Sequence, residues 1–239
     1  MMEERIIYTA PGPRDPASIR AEKRKITTAA QAKINAKLCW QSLMRLLASN
    51  FLPGHALVVT LTFDDDHLPA ERKGAQAALK KFRGRMAKSR QRRNKAFFAA
   101  YSIEHVHEHG RWHIHLVVNA TGNDYQEIRS CWPFGTDVEI HPLEVNRKKD
   151  YETLARYMCK ERPDSAGQHV WGCTRNCRRP VKETRNIPDD TPLIVPDDAV
   201  NVIRESYQNR FGRFEYVRYT MTEPEKIYAA RPSSKRRRK

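Results

Sequence analysis

The chain has 239 residues, with 44 Lys and Arg against 28 Asp and Glu, giving a formal net charge of +16 at pH 7. No apolar run approaches the roughly 20 residues that span a bilayer. Met1-Met2-Glu3-Glu4-Arg5 lacks the layout of a secretory signal, and five irregularly spaced cysteines do not make a disulfide framework. The expectation is a cytoplasmic chain without membrane contact. Its charge excess points to a polyanionic partner, nucleic acid first, and says nothing about chemistry.

Residues 1–15, rich in Pro and Gly, read as irregular. Ala17 to Asn50 lacks both and reads as a long helix or a broken pair, ended by Pro53-Gly54. The β-branched run Ala56–Phe63 reads as a buried strand. A second helix is expected from about Ala70 to Gln91, with Leu79, Phe82 and Met86 inward. It carries Lys80, Lys81, Arg83 and Arg90, and Arg92 and Arg93 follow at its end. From Lys80 to Lys95 there is no acid at all, which marks these side chains as candidate phosphate contacts rather than a mixed solvated face.

Phe97–His107 and Trp112–Ala120 read as two strands around the turn residues His109-Gly110. A short helix (Asp124–Cys131), a short strand (Asp137–His141) and a helix from Asp150 to Glu161, stopped by Pro163, follow. After a proline-spaced loop, a helix is expected near Ala199–Asn209 and a strand at Phe211–Thr220. The order suggests an α+β fold, with a central, largely antiparallel sheet and helices packed against it, plus an N-terminal helix and a C-terminal extension. The expected divisions are an N-terminal helical segment (1–50), a main domain (51–180), a C-terminal extension (181–232) and a basic tail (233–239).

Trp112-His113-Ile114-His115-Leu116 sets two histidines at i and i+2. On a strand both imidazoles share one face, close enough to share an ion. If His109-Gly110 is a two-residue turn, Glu104 falls opposite His115 and completes a His-His-carboxylate set. A one-residue slip would put His105 or Ile103 there instead. His105, His107 and His109 read as bystanders. Donor chemistry alone would favour Zn²⁺ or Mn²⁺.

On the 150–161 helix, Tyr151, Leu154 and Met158 make a core-facing stripe. Tyr157 and Lys160, three apart, are neighbours on another face. A phenol with pKa near 10 is a weak nucleophile at neutral pH. A close ammonium, or a cation on the phosphate under attack, would relieve that. Attack on a DNA phosphate would leave a covalent phosphotyrosine and a free 3′-hydroxyl that can later reverse the step. Cys173-Thr-Arg-Asn-Cys177, near His169, is an incomplete zinc pattern; Arg175, Arg178 and Arg179 mark it rather as a phosphate-contacting loop.

In chain order, Val58-Val-Thr-Leu-Thr-Phe63, Trp112-His-Ile-His-Leu116 and Tyr157-Met-Cys-Lys160 resemble the three motifs of the HUH endonuclease superfamily, nearest its bacterial and phage rolling-circle replication initiators. The resemblance spans roughly Leu38 to Pro180, and the His-x-His strand is its most specific part. It implies His113 and His115 as ligands of Mg²⁺ or Mn²⁺, with Glu104 fitting the acidic third. It further implies Tyr157 as the nucleophile, Lys160 as an auxiliary, and Thr60 and Thr62 in the floor beneath the DNA. The implied activity is metal-dependent nicking and joining of single-stranded DNA at a replication origin of a plasmid or phage. A host helicase would supply unwinding, because no GxxxxGK[ST] motif is present. The alternatives are a non-catalytic nucleic-acid-binding regulator and a related relaxase or transposase nickase.

Overall fold

The computed structural model describes residues 2–9, 29–106, 110–146, 150–161, 169–188, 190–209 and 212–221. In chain order the elements are β1 (Met2–Tyr8), α1 (Ala29–Asn50), β2 (Ala56–Thr62), α2 (Arg72–Arg92), β3 (Ala99–Val106), β4 (Arg111–Asn119), α3 (Asp124–Cys131), β5 (Val138–Pro142), α4 (Glu152–Met158), β6 (Trp171–Cys173), β7 (Ala199–Asn209) and β8 (Gly212–Met221). The fold is α+β, as the element order implies. Among the described residues no helix is long and apolar enough to cross a membrane.

The chain divides into two compact units: residues 26–183, and residues 1–25 together with 184–239. These divisions differ from those expected at 50 and 180, because α1 belongs with the central sheet rather than to a separate segment. Residues 17–28 of the expected N-terminal helix and the 233–239 tail lie outside the described residues.

The larger unit is built on an antiparallel five-stranded sheet in the order β5-β2-β4-β3-β6. Its strands alternate strictly. Val59, Leu61 and Phe63 of β2 and its extension, Ile103 of β3, and Trp112, Ile114 and Leu116 of β4 face one side. There they are buried with Leu79, Phe82 and Met86 of α2 and with Ile128 and Trp132. The opposite face carries Thr60, Thr62, Ser102, Glu104, His113 and His115, and α4 lies over it with Tyr157 against His115. Helix α1 packs against α4 and buries Leu43, Met44, Leu46 and Leu47. Its end is tied down where the Tyr151 hydroxyl donates to the Phe51 carbonyl at 2.8 Å.

The smaller unit is a three-stranded antiparallel sheet, β1-β8-β7. Two expectations fail here. Residues 2–8, read as irregular, form β1, and Ala199–Asn209, read as a helix, forms β7. Both satisfy their backbones on β8, a cross-strand partner that local composition does not reveal. Val200, Val202, Ile203 and Tyr207 also suit a pleated surface better than a helix. A register shift between Val200 and Ile203, with Asn201 at a positive φ of 56°, breaks the alternation that would have announced the strand.

Arg90 corrects another expectation. Its place in the acid-free stretch made it a candidate DNA contact, yet it is wholly buried. Its guanidinium donates to Glu127 Oε2 (3.1 Å), Asp124 Oδ1 (2.7 Å), the Asn119 carbonyl (2.7 Å) and Asn119 Oδ1 (2.6 Å). The acids it needs lie beyond the window read in sequence, on α3. Burial works to raise the pKa of both carboxylates. Donors from Thr121 and Gly122 to Asp124, and from Ser89, Arg93 and Arg90 to Glu127, outweigh it and hold both below the ordinary range. Arg93 is engaged as well, at 2.6 Å from Glu127 Oε1.

Removing one member of a buried charge cluster strands the others. Arg90→Ala is therefore expected to cost about 3–5 kcal/mol in urea unfolding, whereas Arg92→Ala, at an exposed position, should stay within about 0.5 kcal/mol. Equal losses for both would mean that the Arg90 cluster does not hold α2 to α3.

Candidate active site

The register of the sheet assembles the site. Thr62, His113 and Glu104 form one row across β2, β4 and β3; Thr60, His115 and Ser102 form the next, with Glu139 of β5 and Trp171 of β6 at its ends. The expected register placed Glu104 opposite His115, but it pairs with His113, and Ser102 takes the place opposite His115. The hairpin connection is longer than the two residues assumed, so the pairing moves by two. An even shift keeps every side chain on its face. Glu104 therefore still reaches His115, now along the diagonal, with 2.6 Å between Oε2 and Nε2.

His115 is 4% exposed. Its ring lies nearly parallel to that of His113, with 6.3 Å between centroids. Each imidazole is backed by a threonine: Thr60 Oγ1 is 3.3 Å from His115 Nδ1, and Thr62 Oγ1 is 3.4 Å from His113 Nδ1. The threonines, expected in a DNA-contacting floor, thus sit behind the histidines and set their ring orientation. The end of β2 is held in turn by Trp132, whose indole N–H donates to the Thr62 carbonyl at 3.0 Å. Gly135 packs so close to that carbonyl that a Cβ would lie 2.0 Å from its oxygen.

The second half of the site comes from α4. The Tyr157 hydroxyl lies 3.5 Å from His115 Nε2, and the two rings meet edge to face at 4.9 Å. Lys160 sits just past the helix end, with its Nζ 2.7 Å from Glu104 Oε1 and 4.2 Å from the centre of the Tyr157 ring. Tyr157 is 45% exposed, open to a large substrate. Tyr151 is not: it is buried, with its hydroxyl on Phe51.

Burial tends to raise the Glu104 pKa, but Lys160 and His115 together outweigh it and hold the carboxyl below its ordinary range. For His115 burial dominates, lowering its pKa although Glu104 pulls the other way. At neutral pH the site therefore holds a neutral imidazole beside an ionised carboxylate. Desolvation works against the Lys160 ammonium too, yet Glu104 and Tyr157 raise its pKa overall.

The donor set suits a divalent cation in kind: two imidazoles and a carboxylate. It is not drawn up as a finished cage, since among the described residues no three His, Cys, Asp or Glu side chains are gathered to enclose an ion. Two ligands cis on an octahedral ion at about 2.1 Å would stand about 3.0 Å apart, so the Glu104–His115 contact would open by a few tenths of an ångström. As drawn, His115 Nε2–H donates to Glu104 and Nδ1 accepts from Thr60. Coordination through Nε2 needs the other tautomer, and the Thr60 hydroxyl can reverse to accept from Nδ1–H.

The remaining candidates separate. His105 stacks on Trp112 on the far face, while His107 and His109 lie outside the described residues. Lys80, Lys81, Arg83 and Arg92 belong to α2, which packs on the sheet face away from His115; Arg83 is engaged with the Tyr101 hydroxyl at 2.6 Å. Arg175, Arg178 and Arg179 are exposed after β6. Arg179 lines a cavity of about 440 Å³ with Ser42 of α1 and Trp171. Cys177 is buried against Thr174 and the Ala99 carbonyl, with its thiol pKa pushed up by burial.

Because the Glu104 charge holds the His115 pKa up, Glu104→Gln should lower it further. Titration of the His115 imidazole signals by NMR would show this, and an upward move would contradict the geometry.

Residues 56–162 match a family model of replication-associated proteins, that of the ORF2 type. No curated protein matches the chain. A crystal structure of the hypothetical protein ORF119 from Sulfolobus islandicus rod-shaped virus 1 aligns with 53% of this chain and 98% of its own, at 17% identity and a TM-score of 0.37, a likeness too low to carry argument. The matched span runs from β2 past α4 and contains Thr60, Thr62, Glu104, His113, His115, Tyr157 and Lys160; over this stretch the chain is similar to replication-associated proteins.

Proposed function

We propose that this chain nicks and rejoins single-stranded DNA at a replication origin through a covalent 5′-phosphotyrosine, as an HUH-type initiator of rolling-circle replication. The observation that carries the reading is the meeting of Tyr157, Lys160, Glu104 and His115 from two separate elements. A protein that only bound nucleic acid would need no such group. The family match over the same residues supports a role in replication.

In the proposed step the Tyr157 oxygen bonds to phosphorus, the bond from phosphorus to the 3′-oxygen breaks, and the phenolic proton passes on balance to the released 3′-hydroxyl. Lys160, hydrogen-bonded within this group, favours the phenolate as it forms and keeps Glu104 ionised. Thr60 and Thr62 hold the imidazoles in place. His113, His115 and Glu104 would hold Mg²⁺ or Mn²⁺, which when bound offsets charge on the phosphate under attack. The released hydroxyl can run the step backwards, because the phosphotyrosine keeps the phosphodiester's bond energy.

Tyr157→Phe should abolish a denaturation-resistant protein–DNA adduct on labelled single-stranded oligonucleotides with Mn²⁺, and leave DNA affinity nearly unchanged. An adduct that persists in Tyr157→Phe but vanishes in Tyr151→Phe would move the nucleophile. An absent adduct with intact wild-type protein on its own origin would favour a non-catalytic regulator.

His113→Ala with His115→Ala should remove Mn²⁺ binding in calorimetric titration, while Glu104→Ala should weaken it less completely. Unchanged affinity in the double variant would sink the metal site.

The exposed loop arginines are the proposed backbone contacts, since they lie beside α1, on the site's side of the sheet. Replacing Arg175, Arg178 and Arg179 by Ala should flatten the slope of log K against log salt by about 2 units, at about 0.7 per phosphate contacted. The same test on Lys80 and Lys81, across the sheet, should change it less; the reverse ranking would reroute the DNA.

A further inference from the structure

Cys159 lies between Tyr157 and Lys160 in sequence and caps α4, its backbone N–H donating to the Ala155 carbonyl. Its sulfur is 3.8 Å from that of Cys39 on α1. Both residues are partly exposed, and neither is in a disulfide. The carbonyl of Cys39 accepts the Trp171 indole N–H at 3.3 Å, which anchors this turn of α1 to the sheet edge. The two thiols thus join the element that carries the nucleophile to one fixed on the sheet. Bonded sulfurs stand about 2.05 Å apart, so joining them needs a rotamer change and a closure of about 1.8 Å.

We propose that Cys39 and Cys159 are an oxidisable pair whose disulfide tethers the nucleophile-bearing helix to α1 and slows strand cleavage reversibly. The oxidant class is a peroxide. One thiolate attacks the peroxide oxygen and becomes a sulfenic acid as water leaves. The second sulfur then attacks the first and displaces a second water, so two thiols and one hydrogen peroxide give one disulfide and two waters. A closure of this size beside Tyr157 and Lys160 displaces them relative to Glu104 and His115. Misplacement by about 1 Å can cost on the order of 10²-fold in rate. A thiol reductant cleaves the bond and restores the geometry.

The rate effect rests on the nicking function proposed above; the cross-link does not. Treating the full chain with hydrogen peroxide should yield a Cys39–Cys159 peptide cross-link by mass spectrometry and raise the thermal midpoint by about 5 °C or more. Cleavage should slow at least tenfold and recover with dithiothreitol. Cys39→Ser, and independently Cys159→Ser, should cleave at the reduced wild-type rate and resist peroxide. A cross-link elsewhere, separate oxidation of the two thiols, or a cross-link with unchanged cleavage overturns the proposal. Reduced protein that cleaves nothing would instead refute the nicking assignment, with the cross-link and thermal shift still deciding the tether.

Discussion

The carboxylate of Glu104 joins two parts of the molecule that otherwise approach each other through side chains alone. One oxygen receives the His115 imidazole, carried by the sheet; the other receives the Lys160 ammonium, carried beyond the end of α4. Burial would neutralise an isolated carboxyl here, and its two partners prevent that. The charge then serves both neighbours. It keeps Lys160 a cation next to the Tyr157 ring, and it orients an imidazole that burial holds neutral. An uncharged residue of the same shape would leave the ammonium half-buried without its partner.

Strand alternation divides the rest of the work. On one side of the five-stranded sheet, α2 and α3 close a dry core around Phe63, Phe82 and Trp132. On the other, the polar row from Glu139 to Trp171 crosses all five strands. The positive charge of the chain is correspondingly not one surface. Arg90 is spent inside the molecule on Asp124 and Glu127, Arg93 joins it at the rim, and Arg83 caps Tyr101. Net charge attracts a polyanion, while tertiary pairing decides which cations remain to meet it.

The parts of this structure legible in sequence are those set by local period. β2, α2, the β3–β4 hairpin, α3 and α4 all appear near their expected bounds, because each carries its own apolar spacing. The shared face of His113, His115 and Glu104 was legible too, since it depends on odd and even positions and survives a two-residue error in register. What failed depended on distant partners. β1 and β7 exist because β8 lies between them, and a bulge hides the alternation of β7. Arg90 read as surface because its acids come more than thirty residues later. The threonine backing of the imidazoles required knowing that β2, not only β3, borders β4.

The site has a stationary half and a suspended half. The histidines sit mid-strand in the centre of a hydrogen-bonded sheet, with their neighbours clamped by Trp132 and the close approach of Gly135. Tyr157 rides on a seven-residue helix whose attachments are side chains from α1 and Glu104. In the proposed reaction the broken strand ends up with one terminus bonded to the suspended half and the other merely released. The enzyme therefore carries its captive DNA end on the part able to swing, like a hand on a hinge. The tools that open the bond remain in the frame, positioned for the next strand or for the same end on its return.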